Sequence, residues 1–364
     1  MLLEVCNVCK KEIKTIIYLP NLPITGCFRN ENDTYPYDSY GYNQEFMYCT
    51  NCGHGQLRYT INKEEIYDPK HYILRTSKSV SARISSDNMF KFIKPKGTIL
   101  EIGSNDCYLL KKFKGKKIAI DPIAKPIKGI RVINKYIEKV RGNIKAETII
   151  CKDVLEHIED IHGFMGQIER FSKKHTKLYI QVPSIEHMIR ENRFDQIFHE
   201  HIQYFSFYSL SLLLRDHGWQ IVRLEIDKDH WGAYVIEAVK SESIIIDCLS
   251  IGRFDIHNIL RRYAIFRDSM KFASAKITKK AYGYGAAAML PILNYHMSGK
   301  LNELKYIIDD DKRKNGRYYV NMKPQITNRH YRGQYVLTAI WSNHNVGKIK
   351  KKHPNIINPL EGIK

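Results

Sequence analysis

Two short cysteine pairs open the chain, Cys6-Asn7-Val8-Cys9 and Cys49-Thr50-Asn51-Cys52-Gly53. A CxxC turn lets two sulfurs converge on one point, and two such turns supply the four thiolates that zinc takes in a tetrahedron. A site closed by four sulfurs has no position left for a substrate, so this spacing predicts a structural zinc held by Cys6, Cys9, Cys49 and Cys52. A redox dithiol is the poorer reading, because there are two pairs and neither opens a helix after a strand. Cys27 and His54 read as bystanders.

The second chemical feature is the turn Glu101-Ile102-Gly103-Ser104-Asn105-Asp106, at the end of a predicted buried strand. Gly103 lets a ligand approach the backbone, and the residues after it offer free N–H groups. Asp121 closes the next predicted strand, where a carboxylate can accept both hydroxyls of a ribose. The turn lacks the further glycines of a dinucleotide fingerprint, which argues against a pyrophosphate and for an uncharged linker. S-adenosylmethionine has ribose and adenine without phosphate, and its sulfonium tolerates carboxylates. The candidate cofactor residues are therefore Glu101, Gly103, Ser104, Asn105, Asp106 and Asp121. Asp153 joins them, because Asp153-Val154-Leu155-Glu156-His157 resembles the loop that flanks this cofactor in many methyltransferases. Taken alone, Asp121 reads equally well as a solvated strand end.

The third is His199-Glu200-His201, within Phe194 to Ser206, in a predicted loop after a strand ending at Val182. Loops at the carboxyl ends of parallel strands are where such sheets bind ligands. Two histidines around a glutamate offer a general base with an orienting partner. A metal held by His199, His201 and a carboxylate is the competing reading, and a packing role for any one of these histidines is the plain one.

The surrounding pattern positions these groups. Residues 1–62 are rich in Tyr, Asn, Pro and Gly and read as a zinc-binding module of short strands and turns. Residues 63–96 read as a helical linker, with Val80, Ile84, Met89 and Phe92 sharing a face until Pro95-Lys96-Gly97 breaks the chain. In 97–241 strands alternate with helices: Thr98–Ile102, Lys117–Asp121, Glu147–Cys151 and Leu178–Val182 make a parallel, doubly wound sheet. Ser206 caps a helix that stops at Gly218, and Gln220–Ile226 with Tyr234–Val239 form an antiparallel pair. By analogy this is the Rossmann-like architecture of a class I methyltransferase. Residues 242–364 read as a smaller Rossmann-like α/β domain. It comprises a helix near Asp255–Ile277, strand Lys280–Tyr284, helix Ala286–Met297 and strands Leu304–Asp309 and Tyr335–Trp341. Gly283-Tyr284-Gly285-Ala286-Ala287-Ala288 fits G-x-G-x-x-A, which taken bare predicts a second dinucleotide site.

The chain has 364 residues, 43% hydrophobic and 26% charged, as in a soluble globular protein. Without a run of eighteen apolar residues no membrane span is expected, and without a basic, apolar start no secretory signal, so the expected compartment is the cytoplasm. The net charge of +20 raises a zinc-ribbon nucleic-acid-binding protein as an alternative. The basic runs are short and no basic–aromatic recognition motif stands out, so the charge reads as a dispersed bias and nucleic acid is not the expected partner.

The chain resembles the nucleotide-sugar C-methyltransferases that make branched deoxysugars. The resemblance rests on the N-terminal CxxC…CxxCG module, the EIGSND turn, the HEH-x-x-YFS loop and Ala281-Tyr282-Gly283-Tyr284-Gly285-Ala286. Ile307-Ile308-Asp309, Asn315-Gly316-Arg317-Tyr318 and Trp341-Ser342-Asn343 extend it. It implies an enolate made next to a 4-ketone and methylated by S-adenosylmethionine, with His201 as base, Glu200 holding its ring and His157 as a second acid/base group. It implies a nucleotide-sugar partner met by Tyr72, Ser79 and Arg83 on the linker, and a C-terminal domain that closes the cleft without a dinucleotide. A monomer is expected. Phe198 stands where the family usually has tyrosine, Cys107 replaces the glycine ending the cofactor turn, and Asp229-His230-Trp231-Gly232-Ala233 replaces a more glycine-rich stretch. An O- or N-methyltransferase on a sugar or other small molecule is the alternative that Phe198 keeps open.

Overall fold

The computed structural model describes residues 4–35, 41–68, 70–241, 254–338 and 343–361. The N-terminal module is an antiparallel sheet of β1 (Lys14–Leu22), β2 (Tyr42–Tyr48) and β3 (Gly55–Leu57). Alternation along β1 buries Ile17, Leu19 and Leu22 and turns Tyr18 to solvent. The two cysteine turns flank this sheet. Lys10 N donates to Cys6 O at 2.9 Å and Gly53 N to Cys49 O at 2.8 Å, with Lys10 and Gly53 both at positive φ.

The linker departs from its predicted run of helix. Its α-helices are a single turn at Lys63–Ile66 and α1 (Val80–Phe92), the latter with Ser79 as N-cap accepting from Ala82 N. The residues before it are tied down from outside: His71 O accepts from Phe28 N, Ile73 O from Arg313 and Leu74 O from Asn105. Carbonyls committed to distant partners are not free to close helical turns.

The central sheet then forms from β4 (Ile99–Ile102), β5 (Lys117–Ile120), β6 (Arg131–Ile133) and β7 (Ala146–Lys152). After α2 (Ile161–Phe171) comes β8 (Ser172–Val182), then α3 (Ile185–Arg190), the short β9 (Gln203–Tyr204) and α4 (Phe207–Asp216). The antiparallel pair β10 (Trp219–Asp227) and β11 (Ala233–Lys240) closes the region. The order is β10-β11-β8-β7-β4-β5-β6, with β4 to β8 parallel and β11 antiparallel to both its neighbours. That is the doubly wound class I methyltransferase arrangement. Its strands are apolar runs, all four residues of β4 being buried, because helices cover both faces. Helix α2 buries Ile161, Phe164, Met165, Ile168 and Phe171, a stripe at helical spacing, and Asp160 caps it. Ser206 caps α4 in a reciprocal capping box with Ser209.

β9 does not join the central sheet. It pairs antiparallel with β3, Gln203 opposite Gln56 and Tyr204 opposite Gly55, and so becomes the fourth strand of the cysteine module's sheet. The stretch that carries His199 to His201 is thereby anchored to the metal module.

The C-terminal part begins with α5 (Ile256–Lys276) and continues with β12 (Tyr282–Tyr284), α6 (Leu290–His296), β13 (Tyr306–Ile308), β14 (Gln325–Thr327) and β15 (Tyr335–Leu337). Its sheet, β14-β13-β12-β15, is wholly parallel and Rossmann-like. Trp341 and Ser342 lie outside the described residues. Helix α6 starts four residues later than its sequence suggests, because residues 286–288 are held by side chains. Ala286 N donates to Asp309 Oδ2 at 2.7 Å, Lys314 Nζ donates to Ala286 O at 2.7 Å, and Tyr319 Oη donates to Ala287 O at 2.6 Å. A bare G-x-G-x-x-A reading predicts a dinucleotide there. In the structure Gly285 N donates to Ile308 O and Ala286 N to Asp309 Oδ2, so these two N–H groups of the loop are spent on the protein.

Continuous apolar packing unites the parts. One cluster runs from Cys6, Val8 and Met47 of the module into the central sheet at Ile102, Ile149 and Ile180. A second joins Leu19, Leu22 and Phe46 to Phe198, Phe266 and Ile307. The module is therefore a wedge between the other two sheets. Among the described residues no helix is long and apolar enough to cross a membrane.

Candidate active site

At the carboxyl ends of β4, β5 and β7 lies a cavity of about 300 Å³, lined by Glu101, Gly103, Ser104, Asn105, Asp121 and Asp153, and beyond them by Tyr72 and His157. Ligands bind at this edge of open α/β sheets. Gly103 stands at φ +71°, and a Cβ there would lie 2.3 Å from Val154 Cγ2. Gly103→Ala is expected to weaken S-adenosylhomocysteine binding roughly five- to thirtyfold, the equivalent of about 1–2 kcal/mol of left-handed strain. Titration calorimetry of the two proteins reads this directly. An unchanged affinity would mean that the turn is not the binding surface.

The Asp121 carboxylate is fixed by the backbone around it. Its Oδ2 accepts from Asn105 N and its Oδ1 from Ile123 N, both at 2.8 Å. Burial raises its pKa, yet each oxygen keeps a lone pair for a ligand hydroxyl. Glu101 is buried with Oε2 unpartnered, and burial pushes its carboxyl up to about 8. Burial works against ionisation of Asp153 too, but the neighbouring His230 and Lys152 outweigh it and hold Asp153 well below the usual carboxylate range. His230 Nε2 lies 3.1 Å from Asp153 Oδ2, and Lys152 forms an ion pair with the same oxygen.

Three of the sequence candidates sit elsewhere. Asp106 is not among the cavity's lining residues; its Oδ2 accepts from Ser77 N at 3.1 Å and ties the turn to the linker. Ser79 is spent as the N-cap of α1, and Arg83 donates to Ser77 O at 3.1 Å. Neither lines the cavity, because each satisfies backbone groups at the helix start. Cys107, in place of a family glycine, keeps the glycine conformation at φ +57°, with its thiol buried.

The HEH loop separates into different tasks. His199 is a strut: Nε2 donates to Leu22 O at 2.8 Å, Nδ1 lies 3.2 Å from Gln44 Nε2, and burial lowers its pKa to about 4. With both nitrogens used, it cannot join His201 on a metal. Glu200 does not hold the His201 ring either. Its Oε1 accepts from Thr25 Oγ1 at 2.5 Å, and burial, eased by that bond, leaves its carboxyl at about 7. Thr25 lies 175 residues away in sequence, which no local reading could bridge.

His157 and His201 meet ring to ring, their centroids 5.0 Å apart. His157 Nδ1 lies 2.6 Å from Glu200 O. A carbonyl only accepts, so Nδ1 carries the proton and Nε2 keeps its lone pair. Among the described residues neither ring nitrogen of His201 has a hydrogen-bond partner; Phe198 packs on the ring at 4.1 Å and Trp231 at 5.5 Å. Burial lowers the pKa of both, that of His201 the more, with His157 adding repulsion. Two neutral imidazoles therefore stand side by side; His157 is among the cavity's lining residues and His201 is not. Sequence reasoning passed over Glu156, although Asp153–His157 was read for its two ends. Its donor atoms and those of His157 and His201 all lie within 4.8 Å of one another.

The four cysteine thiols form a second cluster, all Sγ atoms within 4.8 Å, with Cys6–Cys52 and Cys9–Cys49 at 3.5 Å and no disulfide. That is a donor set for one tetrahedral metal.

Known proteins bear on both regions. Residues 75–224 match a family described as "Methyltransferase domain", and residues 6–67 one described as "Putative zinc binding domain". C-methyltransferase NovU of Streptomyces niveus is 22% identical over 260 residues, which are 65% of this chain and 60% of that protein. The chain thus matches less than two thirds of the length of that curated relative. Solved structures with similar folds include the 1,6-didemethyltoxoflavin-N1-methyltransferase of Burkholderia thailandensis with bound S-adenosylhomocysteine, at 16% identity. It has TM-score 0.36 and covers 46% of this chain and 80% of its own. Magnesium protoporphyrin IX methyltransferase of Synechocystis, also with bound S-adenosylhomocysteine, has 16% identity and TM-score 0.36 and covers 44% of this chain and 84% of its own.

The strand order and the domain match together define the class: this chain carries a class I, S-adenosylmethionine-dependent methyltransferase domain behind an N-terminal zinc-binding module.

Proposed function

We propose that this chain methylates carbon: it takes the proton next to the ketone of a nucleotide-linked 4-keto deoxysugar and places there the methyl of S-adenosylmethionine. The observation that carries this reading is the imidazole pair His157–His201, of which His157 lines the cavity that also holds Asp121 and His201 packs directly behind it. A base that must ionise a carbon acid near neutral pH works best as a free imidazole.

The cavity fits the methyl donor. Asp121 offers its lone pairs to ribose hydroxyls, Ile123 and Ile137 an apolar wall to adenine, and the orphaned Glu101 carboxyl a hydrogen-bonding group. The donor supplies the methyl on its sulfonium. The protein's own work is to bind, orient and move one proton, leaving an enolate whose carbon is nucleophilic. His201, the match to the HEH loop, takes that proton. His157 is the second reading, favoured because it lines the cavity with Nε2 free. Tyr72 lines the same cavity and is the linker residue placed to meet the sugar nucleotide. The four thiols fit one structural zinc, and with no open position it takes no part in the chemistry.

The test is incubation with S-adenosylmethionine and a panel of 4-keto sugar nucleotides in deuterated water. Deuterium should enter at the carbon flanking the ketone, and NMR should place the new methyl on that carbon. A methyl on oxygen would turn the reading into an O-methyltransferase, and no product with any member of the panel would end it.

A further inference from the structure

Glu156 is the buried carboxyl that nothing in the preceding account uses. It is 1% exposed, and both Oε1 and Oε2 lack a hydrogen-bond partner. A buried polar group left without a partner is destabilising, so its setting calls for an explanation. Its backbone is locked in place. Ile202 N donates to Glu156 O at 2.8 Å, and His157 Nδ1 donates to Glu200 O at 2.6 Å, so the 153–157 loop and the HEH loop are zipped together. Within this lock one Glu156 carboxyl oxygen lies within 4.8 Å of one ring nitrogen of each imidazole. Glu200, which chain position alone would nominate as the imidazole's partner, is bound to Thr25 instead.

We propose that Glu156 is the positioning carboxyl of the His157–His201 pair. This rests on the reading of that pair as the proton acceptor. As the C–H bond next to the ketone breaks, its electron pair moves to the enolate oxygen and its proton to an imidazole nitrogen. The Glu156 carboxylate then faces the imidazolium and stabilises it. Catalytic hydrogen bonds that are long in the resting protein tighten when charge develops. The charged and titratable groups facing this triad are Asp153 and Lys152 on its own loop, Glu200 on the HEH loop, His230 on the β10–β11 turn, and Tyr67 on the linker.

The sign of the pH dependence follows. Burial, then the Asp153 charge, raises the Glu156 carboxyl well above its ordinary value, whereas burial lowers both imidazoles. Exchange should therefore be complete at high pH and fall as pH drops through the Glu156 titration, before either imidazole protonates.

Glu156→Gln preserves shape and removes that titration. Solvent deuterium exchange into the keto sugar nucleotide should fall about 10²-fold at high pH. The remaining activity should persist to lower pH than in the unaltered protein, and Glu156→Asp should restore part of the rate. Unchanged S-adenosylhomocysteine affinity certifies the fold. A pH profile that does not move overturns the proposal. So does a second equivalent of divalent metal, beyond that held by the four thiols, that the unaltered protein binds and Glu156→Gln loses; Glu156 would then be a metal ligand. A separate arm needs no substrate. The NMR signals of the His157 and His201 rings should report a further titration step in the unaltered protein, above the pH at which the rings themselves protonate, and Glu156→Gln should lack it; rings that show no such step in the unaltered protein overturn the coupling. If the step is present and lost in Glu156→Gln but even the unaltered protein exchanges no keto sugar, it is the proposed reaction that has failed.

Discussion

Removal of the metal from the four-thiol site is expected to abolish methyl transfer while leaving most of the cofactor affinity. The cysteine module's sheet includes β9, which directly follows the HEH loop, and that junction is tied at several points. Leu57 N donates to Ile202 O at 2.9 Å, His54 Nε2 lies 2.9 Å from Gln203 Oε1, and Ser206 Oγ donates to Cys52 O at 2.9 Å. A structural zinc contributes folding free energy outright, so a module that loses it melts. The HEH loop then loses the sheet on which it is built, together with the Thr25 and Leu22 contacts of Glu200 and His199. The Asp121 side of the cavity stands on β4 and β5 and on backbone bonds of its own turn, so it survives. Turnover should fall by about 10²-fold or more, the contribution of a positioned base. Chelation with metal quantification, and Cys49→Ser as the genetic equivalent, read turnover against S-adenosylhomocysteine affinity. A fully active protein without metal would show that the thiols only pack.

His201→Ala is expected to lower solvent deuterium exchange and methyl transfer together, by about 10²–10⁴-fold. The ring sits among Phe198, Tyr204, Trp231 and His157, so its removal leaves an apolar hollow; His201→Phe fills that space and should be equally inactive. Equal loss in both variants assigns the effect to the lost nitrogen, and rescue of exchange by added imidazole in the alanine variant would strengthen that assignment. Because burial lowers the His201 pKa, its basic form persists below the ordinary histidine range, and His201 by itself sets no activity limb near pH 6.5. If exchange survives in His201→Ala and vanishes in His157→Ala, the base is the ring whose Nε2 already lines the cavity.

Legibility in the sequence followed the range of each interaction. Buried strands were readable because a strand covered on both faces must be a short apolar run. Thus Thr98–Ile102 and Lys117–Asp121 match β4 and β5 within a residue or so; Gln220–Ile226 and Tyr234–Val239 match β10 and β11 as closely, although β10 is a largely exposed edge strand. The cap at Ser206 was readable because its partner Ser209 is three residues on. Helix α6 was overcalled because Asp309, Lys314 and Tyr319 reach back from later in the chain to hold residues 286–288. Ser79 and Arg83 meet backbone groups at the helix start, and a residue type suited to phosphate is equally suited to that task, so residue type alone does not choose between the two.

From residue types and spacing alone came the four-thiol metal set, the carboxylate-and-glycine edge at Glu101, Gly103 and Asp121, and the alternation that implies a doubly wound sheet. Each is encoded within a few residues, where backbone geometry leaves little freedom. The tertiary structure decided which groups face one another. It assigned Glu200 to Thr25 and His199 to Leu22, gathered Glu156, His157 and His201 into one buried triad, and seated the HEH loop on the metal module's sheet. Those pairings depend on strand register and on the packing of two sheets around one wedge, and residues so distant in sequence carry no local signal of it.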